Sequence, residues 1–168
     1  LSNRKSLHKA ARRFIDTNPE DAAINGAKLV LAQTSLNTSE SIRLLEGLLE
    51  EGPDRLSYLR ALFEVKARRF RNKIALGQMQ ESVRFARDGL DSYQEMDDVD
   101  REKPFNRAIY LQMRAVVENS ENILSEIKEI EMAGPLDRDV ERTLFWTRLL
   151  LAGRYDYREA KVYFDGLT

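Results

Sequence analysis

The sequence contains no cysteine, a single histidine and only four prolines in 168 residues. Each scarcity removes a class of explanation. Without cysteine there is neither a disulfide framework nor a thiolate metal site. His8 has no second histidine with which to share a metal, and reads as a solvated side chain on an outer helix turn. The eight glycines are scattered among turns, so no loop has the clustered glycines that cradle phosphates. The nucleotide-loop, zinc-protease and nucleophile-elbow patterns are all missing. No apolar run reaches membrane-spanning length. Twenty-seven basic and 28 acidic side chains leave a net charge of −1, which supplies no overall field toward nucleic acid or an anionic membrane.

What is present is a helical pattern. Hydrophobic residues make up 42% of the chain and charged residues 33%, enough apolar surface for a core and enough charge to solvate its outside. Asn18-Pro19, Gly52-Pro53 and Gly134-Pro135 are stop-and-restart signals for helices. Between them apolar residues recur every three or four positions: Leu56, Leu59, Phe63, Phe70 and Ile74, then Phe105, Ile109, Met113 and Val116, then Val140, Leu144 and Leu151. No strand-like alternation of useful length competes. The pattern predicts a helix over 7–16, then helix pairs over 19–34 and 39–51, 54–76 and 78–94, 104–119 and 120–133, and 137–152 and 157–167. Residues 95–103 form an acidic connection.

One spacing returns along the chain: a residue, another four later, another seven later, and a helix break twelve later. Leu7, Ala11, Phe14 and Pro19 fit it, as do Ser41, Leu45, Leu48 and Pro53, and Ile123, Ile127, Ile130 and Pro135. Ser82, Ala86 and Gly89 fit without the proline, and Ala160, Phe164 and Leu167 close the series. The copies start 34, 41, 41 and 37 residues apart. This frame resembles the second helix of a tetratricopeptide repeat, whose period is about 34 residues. Leu76-Gly77-Gln78-Met79-Gln80-Glu81-Ser82, and Leu151-Ala152-Gly153-Arg154-Tyr155 followed by Glu159, Ala160 and Phe164, are similar to that family's inter-helix turn. The tryptophan-leucine-glycine-tyrosine signature of the family's first helix is not met. Two repeats are longer than the family period by seven residues, about two helical turns, and are read as repeats with extended helices.

The resemblance implies an all-α fold: a right-handed α-solenoid of antiparallel helix pairs, with about four repeats behind a leading half-repeat, and residues 1–168 as one tetratricopeptide-like helical repeat domain. Solenoids of the HEAT or armadillo type are the alternative, with the same stacking logic and a different superhelix. Leu1 and the Phe164–Thr168 end both read as cuts through a longer protein, and the compartment, cytoplasm or periplasm, is left open.

The candidate site follows from the same resemblance. In that family the first helices line the groove. On the long helix Lys66, Arg68, Arg69, Arg71 and Lys73 cluster, and Arg60, Glu64, Arg68 and Arg71 share an arc away from Leu59, Phe63 and Phe70. Arg107, Tyr110 and Arg114 repeat the theme on the next first helix. These seven, Arg60, Glu64, Arg68, Arg71, Arg107, Tyr110 and Arg114, are the candidate partner-binding residues, since guanidinium forks suit carboxylates and phosphates. The competing reading is a solvated helix face held by intrahelical pairs such as Glu64 with Arg68. Glu95, Asp97, Asp98, Asp100 and Glu102 lack the turn glycine and closing glutamate of a calcium loop and read as a charged connector. Phe145, Trp146 and Tyr155 read as repeat packing, with an interface as the alternative.

The expectation is therefore a non-enzymatic protein–protein interaction scaffold, with no catalytic, cofactor or metal residues. It would bind a partner protein or peptide, acidic where the arginines gather. Two alternatives stay open: the scaffold of a bacterial secretion or exopolysaccharide export system with polysaccharide as ligand, or the regulatory arm of a multidomain enzyme whose catalytic part lies elsewhere. Nucleic acid is disfavoured, because no aromatic residues interleave with the basic ones as stacking platforms.

Overall fold

The structure is a computed structural model, and it describes residues 2–118 and 122–155. All elements among these residues are helices: α1 (Ser2–Thr17), α2 (Ile24–Thr34), α3 (Thr38–Glu51), α4 (Arg55–Ala75), α5 (Met79–Glu95), α6 (Asp98–Arg101), α7 (Pro104–Val117), α8 (Asn122–Met132) and α9 (Arg138–Tyr155). The expected helix over 157–167, with Glu159, Ala160, Phe164 and Leu167, lies outside the described residues, as do Asn119 and Ser120. Among the described residues no helix is long and apolar enough to cross a membrane.

Local chemistry sets the helix ends. Asn37 caps α3 by accepting from the backbone N–H groups of Ser39 and Glu40 at 3.1 and 3.2 Å, and Asp54 caps α4 by accepting from Ser57 at 3.2 Å. Pro104 occupies the first turn of α7, where its missing N–H has no partner to lose. At the end of α4 the chain reverses through Gly77 at φ +70°. The Gln78 N–H reaches the Lys73 carbonyl at 3.0 Å and the Gly77 N–H reaches Ile74 at 2.9 Å, the paired bonds of a Schellman stop. The expected turn at Leu76-Gly77-Gln78 is thus present.

Several of the boundaries differ from the sequence reading; α1, for one, begins at Ser2 and not at Leu7. α2 begins at Ile24, not at Pro19, because residues 18–23 are held in turns: the Asp21 N–H bonds the Asn18 carbonyl at 3.2 Å and the Ala23 N–H bonds the Asp21 carboxylate at 2.7 Å. α9 runs on past Ala152 through Tyr155, since Gly153 has no positive φ and stays helical. The two 41-residue intervals, both expected to hold extended helices, also accommodate their length differently. The first lengthens α4 to 21 residues. The second places its extra residues in the acidic connection, where Asp97 caps the single turn of α6.

That turn explains the acidic run. Asp100 is buried, pairs with Lys103, and lies 3.8 Å from Arg60. The Asn106 amide donates to the Asp100 carbonyl at 2.7 Å. The connection is a small ionic knot that ties the start of α7 to α4.

The repeated frame coincides with burial. Ser41, Leu45 and Leu48 on α3, Ser82, Ala86 and Gly89 on α5, and Ile123, Ile127 and Ile130 on α8 are all buried. On α1 only Ala11 is, while Leu7 is 48% exposed. Gly89 is small for a reason: a Cβ there would lie 2.6 Å from the Met113 thioether. The two buried serines return their hydroxyl protons to backbone, Ser41 to Ala32 and Ser82 to Met79, both at 2.7 Å.

Three apolar clusters follow one another along the chain. The first joins Ala32 of α2 and Leu45 and Leu48 of α3 to Tyr58, Ala61, Leu62 and Val65 of α4. The second joins Leu59, Phe63, Ala67 and Phe70 of α4 to Phe85, Ala86 and Tyr93 of α5 and Ile109, Met113 and Val116 of α7. The third joins Ala108, Leu111 and Ala115 of α7 to the α8 isoleucines and Val140, Leu144 and Leu151 of α9. α4 and α7 therefore bury two faces each, which is why α4 reads as apolar at more positions than one stripe needs. Fully burying a side chain such as Phe63 or Phe70 contributes about 2–3 kcal/mol. Leu56, expected on the core stripe, is 55% exposed at the first turn of α4.

Candidate binding recess on α4, α7 and α9

α7 packs against both α4 and α9, and together they enclose a cavity of about 600 Å³. The last turns of α4 supply Arg71, Ile74 and Ala75, and α7 supplies Gln112. α9 supplies Leu149 and Leu150 as apolar wall, with Arg142, Thr143 and Trp146 toward its beginning and middle. The surface is mostly apolar with few polar groups, the usual make-up of a ligand site.

Two features of the lining are unusual. Gln112 is 5% exposed, and its Oε1 is buried without a hydrogen-bond partner among the described residues. It stands among Ile109, Met113 and Val116 on the buried stripe of α7, where an apolar residue is the rule. Trp146 is the opposite case, a large apolar side chain left 49% exposed. Phe145 meets it edge-on at 6.0 Å. The expectation of repeat packing therefore does not hold for Trp146, which joins none of the three clusters. The Tyr155 side chain lies outside the described residues.

The seven candidate residues fare differently from one another. Arg68 donates to the carbonyls of Ser35 at 3.2 Å and Gln33 at 3.4 Å, just where Arg4 also donates. Both cations thus satisfy the bare C-terminal carbonyls of α2. Arg60 faces Asp100. Arg107 lies 3.6 Å from both Glu102 and Glu129. Arg114 bonds Glu118 at 3.0 Å and Glu126 at 2.6 Å. Burial opposes the Arg114 charge, yet the bonds to Glu126 and Glu118 outweigh it and hold the proton more firmly than usual. Tyr110 stacks on Tyr93 at 4.2 Å with Arg114 on its ring. The intrahelical pair of Glu64 with Arg68 does not form.

Glu64 and Arg71 are the exceptions. Glu64 is exposed, yet the protein around it desolvates its carboxyl and raises it above the usual carboxylate range, with Arg60 opposing. Among the described residues Arg71 makes no ion pair or hydrogen bond, and its guanidinium lies 5.8 Å from the centre of the Phe105 ring. Burial, and then repulsion from Arg142, lower its hold on the proton, with Asp139 opposing, though an arginine stays cationic throughout. The rest of the basic cluster is engaged: Lys66 with Ser92 at 2.8 Å, Arg69 over Phe85 at 3.9 Å, and Lys73 with Glu81 at 2.7 Å.

Sequence reasoning thus found Arg71, gave Trp146 an interface only as the alternative to packing, and missed Gln112 and Arg142. Gln112 was legible, as a polar residue inside the stripe of Ile109, Met113 and Val116. Arg142 carries no such mark, since only the packing of α9 on α7 brings it opposite α4. Among the described residues no three acidic or histidine side chains gather as a metal site. His8 is half-buried, its Nδ1 lying 3.4 Å from the Thr34 hydroxyl. Comparison with known proteins finds no matching family model, no similar curated protein and no similar solved structure.

Proposed function

We propose that the chain is a non-enzymatic, tetratricopeptide-like solenoid scaffold that holds a partner protein or peptide against its first helices, α2, α4, α7 and α9. The observation that carries this reading is the recess on α4, α7 and α9, whose lining includes Arg71, without an ion pair among the described residues, and the half-exposed Trp146. Arginine and tryptophan are the residue types that dominate binding hot spots. The run of three cores sharing α4 and α7 supports the solenoid, because each helix pair buries its apolar face only through its neighbours.

The partner is acidic at the point where it meets Arg71 and Arg142. The other arginines of the stripe are engaged within the fold, Arg60, Arg107 and Arg114 by carboxylates and Arg68 by backbone carbonyls. Affinity capture from the source organism's extract tests this, with wild-type chain beside an Arg71→Gln, Trp146→Ala variant of unchanged helical circular dichroism. A specific protein retained by the first and lost by the second supports the scaffold. Equal retention by both removes the recess from the interface.

A further inference from the structure

We propose that the recess between α4, α7 and α9 is also a small-molecule site, which takes an aromatic organic acid carrying a hydrogen-bond donor at the end away from its carboxylate. Each part of that description answers one feature of the lining. Ile74, Leu149 and Leu150, with the Trp146 ring, call for a flat apolar body. Arg71, half-buried and without an ionic partner, calls for an anion. Gln112, 95% removed from solvent with its Oε1 unpaired, calls for an N–H or O–H donor.

The charges agree. Arg142 is paired with Asp139 at 2.9 Å, which leaves Arg71 as the lining cation without an ion pair among the described residues, and one monoanion supplies its partner. The size agrees as well. A cavity of about 600 Å³ lies within the roughly 300–1,000 Å³ of ordinary ligand pockets. No single protein side chain combines an anion, an apolar body and a donor, which favours a free molecule over the tip of a partner. The inference stands on the recess itself and not on the scaffold reading, so either can fail without the other.

The chain has one tryptophan, so a single indole N–H resonance reports on the rim of the site. The experiment titrates the ¹⁵N-labelled full chain with three probes: 6-amino-2-naphthoate, 2-naphthoate, which lacks the donor, and 6-amino-2-naphthamide, which lacks the charge. The expected result is a saturable shift of the Trp146 indole by the amino acid probe. Each of the other two should bind at least about fivefold more weakly, the worth of one hydrogen bond or ion contact. Arg71→Gln should abolish the preference for the acid over the amide. Gln112→Met should abolish the preference for the amino probe over 2-naphthoate, with Gln112→Leu as a second variant of the same polarity. No saturable shift, equal affinity for all three probes, or preferences unchanged in folded variants would each overturn the proposal.

Discussion

Replacing Gln112 by methionine should make the protein more stable while impairing what the recess does. The reasoning starts from one atom. Gln112 Oε1 is buried on α7 without a donor, and an orphaned buried acceptor costs about 1–3 kcal/mol of desolvation that no bond returns. Methionine has nearly the same length and volume, and its flexible thioether fits an apolar stripe already built from Ile109, Met113 and Val116. No hydrogen bond is lost and no cavity is created, so the net gain is expected to be about 1 kcal/mol. For a chain of this size that is a rise in Tm of about 2–4 °C. In urea the midpoint should rise with the slope unchanged. Neighbours on the same stripe give the contrast: Ile109→Ala or Met113→Ala removes packed volume and should cost about 2–5 kcal/mol. A stabilised Gln112→Met that has lost its ligand preference is the pattern expected where a functional group is kept at the expense of stability. Loss of 1 kcal/mol or more on the same substitution would show that the amide has a partner, and the reasoning about the recess would fail with it.

Other expectations rest on separate parts of the fold. Tyr93 donates to the Arg101 carbonyl at 2.8 Å, and burial, followed by the charge of Glu102, pushes its phenol up from 10.0 to about 12. The neutral form is favoured in the fold, so this stability is complete below pH 10 and is lost as pH rises from there toward 12, by on the order of 2–3 kcal/mol. Absorbance titration should show one tyrosine ionising late, and Tyr93→Phe should flatten the alkaline decline; an unchanged decline would assign it elsewhere. Arg68→Gln should lower stability by about 1 kcal/mol through the uncapped carbonyls of α2, with partner capture unaffected; lost capture at full stability would return Arg68 to the interface. Gly89→Leu would drive into the Met113 thioether and should cost about 1–3 kcal/mol in urea melts, with Met113→Ala restoring part of it; no cost would mean that α5 and α7 are not in close contact there.

Much of the helical organisation was legible because it follows from short-range chemistry. The prolines and glycines at Gly52-Pro53 and Leu76-Gly77 fall where helices end, and the frame from Ser41, Ser82 and Ile123 marks buried positions on α3, α5 and α8. The connection over 95–103 was legible only as charge. That Asp100 turns inward to meet Lys103 and Arg60 depends on where α7 lies, which periodicity does not specify. The arginine stripe shows the same limit. A helical wheel places Arg60, Arg68, Arg107 and Arg114 on solvent-facing arcs, but the carboxylates and carbonyls that engage them come from other helices or loops in all but the Glu118 contact. Single residues of the recess were legible, Arg71 in the basic cluster and Gln112 inside an apolar stripe, but not that they meet, because the other side is α9, some 70 residues beyond Arg71.

The most direct test of the central claim, that α4, α7 and α9 form the binding face, is to place a photo-crosslinking amino acid at position 146 and irradiate the chain in the source organism's extract. A second chain carries the same group at Lys5, an exposed position on α1. The account predicts one specific adduct from position 146 that the Arg71→Gln substitution removes, and none from position 5. Adducts that form equally from both positions, or that persist without Arg71, would contradict it.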